Sequence, residues 1–215
     1  MFAPMDRAGR RVVAGAIQVV FFDIGGVVLS NGWDHAERAR AAARFGLEAA
    51  ELEARHAPRA AALELGELSL ERYLAEVVFD RPRGFTAAEF AEYMFSLSEA
   101  RPETLAVLEA LAGAGRARLA ALNNESRELN AHRIERFGLK RYFGAFCSSC
   151  YLAARKPGPE IFGRALGILQ AAPEACLFVD DREENAAGAQ AAGMDSVRFI
   201  GAAELRAQLL ERGLL

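Results

Sequence analysis

The fifteen residues from Ala16 to Ser30, AIQVVFFDIGGVVLS, constrain the fold more than any other segment of the 215-residue chain. Their β-branched and aromatic residues follow one another without polar alternation. A strand of this kind is apolar on both faces, and it belongs inside a parallel sheet covered by helices on each side. The run passes Asp23 and then Gly25 and Gly26, so the strand is expected to end in a tight loop. Arg10 and Arg11 give the stretch a superficial likeness to a secretory leader, but Gln18 and Asp23 interrupt it and no small-residue cleavage site follows. The expectation is a buried strand, no membrane span and a cytoplasmic location, with residues 1–15 as a loose N-terminal tail.

From Trp33 to about Ser98 helical patterns replace strand patterns: HAERARAAARFGL, AAELEARHAPRAAALELG, SLERYLAEVVF and TAAEFAEYMFSL. The last opens with a capping box, Thr86 to Glu89, flanked by Phe85 and Phe90 at hydrophobic-staple spacing. After Arg101-Pro102 helices and strands alternate. The pattern predicts helix Pro102–Ala112, strand Arg118–Leu122, helix Ser126–Phe137, strand Phe143–Cys147 and a helix from Pro159. Strand Cys176–Val179, helix Glu184–Ala192, strand Val197–Ile200 and helix Ala203–Arg212 complete it. The expected fold class is α/β: a doubly wound parallel sheet formed by residues 16–32 and 99–215, with a small all-helical domain, residues 33–98, inserted after the first strand. Alanine, about a fifth of the chain, favours the helices.

A net charge of -3 argues against an extended basic surface, so no nucleic-acid partner is expected. Cys147 and Cys150 form a C-x2-C without a second pair at zinc-site spacing, and they read as buried thiols. His56 and His132 lie in charge-rich helical stretches and are expected to be exposed. Asp34 reads as a helix N-cap, and the phenylalanines of AEFAEYMF as helix packing.

In a parallel sheet, ligands bind beyond the carboxyl ends of the strands. Asp23 with Gly25 and Gly26, Asn123 with Asn124, and Asp180 with Asp181 all fall at such ends. Lys156 precedes a helix at the same rim. Carboxylates from two strands supply the hard oxygen ligands that Mg2+ prefers, and a lysine offsets phosphate charge. One carboxylate can attack phosphorus. A phospho-receiver module uses similar residues, but it is shorter and its acidic pair comes first.

Four motifs in order, FFDIGGVV, LAALNNES, Lys156-Pro157 and FVDDREEN, make the chain from about Ala16 onward resemble the haloacid dehalogenase superfamily of hydrolases, with its Rossmann-like core. The insert is similar to the C1-type helical cap of that superfamily. The Asp-x-Gly-Gly-Val opening, the Glu64-Leu65-Gly66-Glu67 stretch and the Asp-Asp-x-x-x-Asn ending resemble a sugar-phosphate phosphatase branch and the N-terminal phosphatase domain of soluble epoxide hydrolases. The resemblance implies a Mg2+-dependent phosphohydrolase in which Asp23 forms an aspartyl-phosphate. Asp23, the Gly25 carbonyl, Asp181 and Asp180 would hold the metal. Lys156, Asn123, Asn124 and Gly26 would meet a small phosphorylated metabolite, in a monomer or homodimer.

Two departures accompany the likeness. Gly25 stands where such phosphatases usually carry a general acid–base aspartate, whose loss typically costs about 10²–10⁴-fold in rate. Asn123 stands where serine or threonine is usual. A dehalogenase and a non-catalytic phosphate-binding protein are therefore the alternatives.

Overall fold

A computed structural model describes residues 16–215, so the expected tail over residues 1–15 lies outside the described residues. In chain order the elements begin with β1 (Val19–Phe22), α1 (His35–Phe45), α2 (Ala49–Glu64), α3 (Leu70–Val77) and α4 (Ala87–Ser96). Next come α5 (Pro102–Ala114), β2 (Arg118–Ala121), α6 (Arg127–Arg136), β3 (Ala145–Phe146) and α7 (Ser149–Leu152). The chain ends with α8 (Pro159–Leu169), β4 (Cys176–Asp180), α9 (Glu183–Ala191), β5 (Asp195–Arg198) and α10 (Ala202–Glu211).

The five strands form one sheet in the order β3-β2-β1-β4-β5, every neighbouring pair parallel. The apolar run is central, as its composition requires: all four residues of β1 are buried. Strand alternation divides the core in two. Val20, Phe22, Leu119, Ala121, Leu177 and Val179 face α5 and α10 through Leu108, Leu111, Leu205 and Leu209. Val19, Phe21, Ala120, Cys176 and Phe178 face α8 and α9 through Ile161, Phe162, Ala165 and Ala189. The two edge strands depart most from expectation. β3 is two residues long and β5 begins at Asp195, because one-sided pairing gives an edge strand no continuous apolar signature.

Helices α1 to α4 bury a hydrophobic cluster of their own, with Tyr73, Leu74, Phe90 and Met94 at its centre and Leu129 of α6 beneath. The capping box is present in α4, and Asp34 caps α1. The two connections between the helices and the sheet pair with each other. Leu29 and Ala100 make an antiparallel bridge, and Ser30 N donates to the Glu99 carbonyl at 2.8 Å. Among the described residues, no helix is long and apolar enough to cross a membrane.

Candidate active site

The sheet order reverses at β1, where the chain moves from β2 and β3 on one side to β4 and β5 on the other. The crevice above that point is where an open parallel sheet binds ligands. Phe22 pairs with Val179, so Asp23 and Asp180 emerge side by side from adjacent strands. Lys156 Nζ lies between them, 2.9 Å from Asp23 Oδ1 and 2.6 Å from Asp180 Oδ2. Burial pushes the Asp23 carboxyl up to about 6, with Lys156 pulling it down and Asp180 adding to the rise. Burial opposes the Lys156 charge as well, yet the two carboxylates outweigh it and hold the ammonium above its ordinary value.

The adjacent aspartates are not equivalent. Asp180 is fully buried and saturated: besides Lys156, it accepts from Asn185 Nδ2 at 3.0 and 3.1 Å and from the Arg182 amide at 2.9 Å. Asp181 Oδ1 is buried with no hydrogen-bond partner. A Cβ on Gly26, whose φ is +79°, would lie 2.3 Å from Asp181 Oδ2, so this glycine makes room for the carboxylate. Ligand oxygens of Asp23, Asp180 and Asp181 lie within 4.8 Å of one another. Clustered hard oxygens with one left unpartnered fit a divalent cation such as Mg2+.

Asp23 Oδ1 also accepts from the Ile24 amide at 2.8 Å. Oδ2 has no protein donor among the described residues. A Cβ on Gly25 would have its nearest neighbours at 3.7–3.8 Å, Asn31 Oδ1 and Arg133 Nη1, so the position is open but holds no acid.

The two asparagines, both expected at the substrate, take different places. Asn123 does not line the cavity. Its Nδ2 donates to Asn130 Oδ1 at 3.1 Å and its Oδ1 accepts from Ser148 Oγ at 2.8 Å, so a buried polar network holds the amide. Asn124 lines the cavity and clamps the Lys156 backbone, donating to its carbonyl at 3.0 Å and accepting from its amide at 2.9 Å.

The cavity, about 370 Å³, extends from Asp23 to one face of α2, where His56, Ala60, Leu63 and Glu64 follow at helical spacing, with Trp33 beside them. His56 is therefore half-buried in the cavity wall and not exposed. His132 is half-buried too, stacked on Phe95 with ring centroids 4.8 Å apart. Sequence reasoning passed over Glu125 and Arg133, a buried pair at 2.9 Å in the wall near Gly25 and Gly32. Burial pushes the Glu125 carboxyl up to about 7, with Arg133 opposing. Glu125 precedes the Ser126 N-cap of α6 and Arg133 lies inside the helix, so no helical spacing in the sequence marked them as a pair. Cys147 and Cys150 are buried free thiols, pushed up to about 11 by desolvation.

The model of the haloacid dehalogenase-like hydrolases matches residues 17–193. The chain belongs to this family. A segment of 69 residues is 38% identical to flavin mononucleotide hydrolase 1 of Arabidopsis thaliana, covering 32% of this chain and only 28% of that relative. A family enzyme of Bacteroides thetaiotaomicron, solved with magnesium and inorganic phosphate, superposes with a TM-score of 0.73 at 18% identity, over 85% of this chain and 93% of that one. A predicted family hydrolase of Porphyromonas gingivalis gives 0.72 at 24% identity, over 90% and 98%. The L-2-haloacid dehalogenase of Xanthobacter autotrophicus gives 0.63 at 18% identity, over 90% and 82%. At these identities the likeness is one of fold, and both phosphate-binding and dehalogenating members share it.

Proposed function

We propose that this family hydrolase is a Mg2+-dependent phosphomonoesterase acting on a small phosphorylated metabolite of the sugar-phosphate kind. The observation that carries the reading is the orphaned oxygen of Asp181 within the cluster of three carboxylates. A halide-displacing enzyme has no use for such a cation site. Asp23, Asp181 and the Gly25 carbonyl would hold the metal, with Asp180 completing the acidic wall. When bound, Mg2+ supplies the positive charge that lets an anionic ester approach a carboxylate.

The residues divide the remaining work. Lys156 and the Ile24 amide hold Asp23 Oδ1, which leaves Oδ2 as the nucleophile. Its bond to phosphorus forms as the ester P–O bond breaks. Water then attacks the aspartyl-phosphate and releases inorganic phosphate and the free carboxylate. Asp180 and Asn124 are positioning residues, one on the Lys156 ammonium and the other on its backbone. Gly25 donates no proton to the departing oxygen, so weakly basic leaving groups are favoured. The helices over residues 33–98 would act as the cap, since one face of α2 and Trp33 close the cavity opposite Asp23.

Gly25 also favours a second reading, because a halide leaves without a proton. Phosphate release from p-nitrophenyl phosphate and chloride release from 2-chloropropionate, measured on the same preparation, separate the two. The expected result is phosphate release that EDTA abolishes and Mg2+ restores, with Asp23→Asn inactive. Activity indifferent to EDTA or to Asp23→Asn would overturn the proposal, and chloride release alone would establish the alternative.

A further inference from the structure

A chain of three hydrogen-bonding side chains supports the cavity wall, with Trp33 and His56 lining it and Tyr73 buried behind them. Trp33 Nε1 lies 2.8 Å from the Tyr73 hydroxyl, and His56 Nδ1 lies 2.8 Å from the same oxygen. Indole can only donate, so Tyr73 accepts from Trp33, and among the described residues the one acceptor within reach of its own buried proton is His56 Nδ1. Nδ1 is thus an acceptor, and the neutral ring carries its proton on Nε2. Tyr73 is completely buried and cannot turn away.

Burial pushes the His56 ring down to about 4, with the Arg38 charge adding to the effect and Glu53 and Asp34 opposing it, so the ring is neutral at physiological pH. Nε2 has no protein partner among the described residues and is not sealed from solvent, whereas Nε2 of His132 is. His56 itself lines the cavity.

The charges around it point the same way. Each arginine in the cavity wall is already held by a carboxylate: Arg38 by Glu53 at 2.7 Å, Arg133 by Glu125 at 2.9 Å, Arg155 by Glu64 at 2.6 Å and Arg182 by Asp34 at 2.9 Å. A second anionic group on a substrate would therefore meet no uncompensated positive charge among these arginines.

We propose that His56 is a specificity-determining residue, whose Nε2–H, fixed by Tyr73 and Trp33, donates to an uncharged oxygen on the leaving group. The preferred substrates are then phosphomonoesters of neutral alcohols that carry hydroxyl or carbonyl oxygens, in preference to phosphorylated acids or bisphosphates. The inference rests on the phosphomonoesterase reading and adds to it the substrate class.

The test compares kcat/KM of the wild type, His56→Leu and His56→Gln on a pyranose 1-phosphate and on phenyl phosphate, which has no acceptor beyond its phosphate. His56→Leu should lose about tenfold on the sugar ester, chiefly in KM, and stay within about twofold on phenyl phosphate. His56→Gln, which keeps an N–H donor, should recover part of the loss. Equal losses on both esters, or none on either, would overturn the assignment while leaving the phosphatase reading intact. Absence of turnover on every ester by the wild type would remove that reading and this inference with it. Independently, a nitrogen-15 spectrum of the histidines at neutral pH should show His56 as the Nε2–H tautomer. An Nδ1–H or charged ring would overturn the assignment.

Discussion

Asp180 and Asp181 are the same residue type at consecutive positions, and what separates them is which hydrogen-bond donors surround each. Asp180 meets an ammonium, an amide side chain and a backbone amide, while Asp181 keeps Oδ1 without a partner and packs its carboxylate against Gly26. The position of that carboxylate depends on the glycine, which gives a sharp prediction. Gly26→Ala adds a Cβ 2.3 Å from Asp181 Oδ2, at a φ of +79°. The backbone term costs about 1–2 kcal/mol, which a domain of this size tolerates. Displacement of the carboxylate should cost much more in function. The variant is expected to melt a few degrees lower yet need far more Mg2+ for half-maximal phosphate release, read by metal titration. An unchanged Mg2+ requirement would refute the assignment of Asp181 as a ligand. The structure brings together Asp23, Lys156, Asp180 and Asp181 as the sequence leads one to expect, the aspartates because strand ends fix where they emerge and Lys156 because it precedes a helix at the same rim. The sequence did not separate Asn123 from Asn124, since Asn130 and Ser148 hold the first and the Lys156 backbone holds the second, contacts that only the folded chain makes.

Among the elements, α2 matters most to the cavity, because one of its faces forms the wall. It runs from Ala49 to Glu64 as one helix despite Pro58 in its interior. Proline removes an intrahelical hydrogen bond and crowds the preceding turn, so α2 persists through its packing on α1 and α3, with Leu52 and Leu63 buried. Pro58 itself is exposed, and replacing it removes no core contact. Pro58→Ala should therefore stabilise the protein, by about 1–3 kcal/mol in denaturant melts. A loss of stability would show that the proline serves the fold. Helices were legible in the sequence because their apolar spacing persists over three or four turns and caps such as Thr86–Glu89 mark their ends. β3 and β5 were less so. Phe143 and Tyr142, which extend the apolar run ahead of β3, turn into the core beside Phe22 instead of continuing the strand. β5 buries only Val197 well.

Across the whole molecule, the helical layer and the sheet layer meet around the cavity, and ion pairs that span the junction beside it join Asp34 with Arg182 and Glu64 with Arg155. Each joins a carboxylate of the helical layer to an arginine next to a residue of the acidic and lysine cluster. Their side chains keep 30–53% of their solvent exposure. Each pair is therefore worth about 0–1 kcal/mol, weakened further by salt. Such pairs add little to global stability, and their expected effect is on local opening of the helical layer, where a free-energy difference of about 1.4 kcal/mol changes a population tenfold. The double variant Asp34→Asn with Glu64→Gln should therefore lower global stability by no more than about 2 kcal/mol. Backbone amides of α1 and α2 facing the cavity should exchange hydrogen faster, while those of β1 and β4 stay protected. In the wild type, raising ionic strength should accelerate the same amides in the same order. If neither the variant nor salt changes exchange in α1 and α2, the ion pairs are incidental, and closure rests on the apolar contact of Leu129 with the helical cluster.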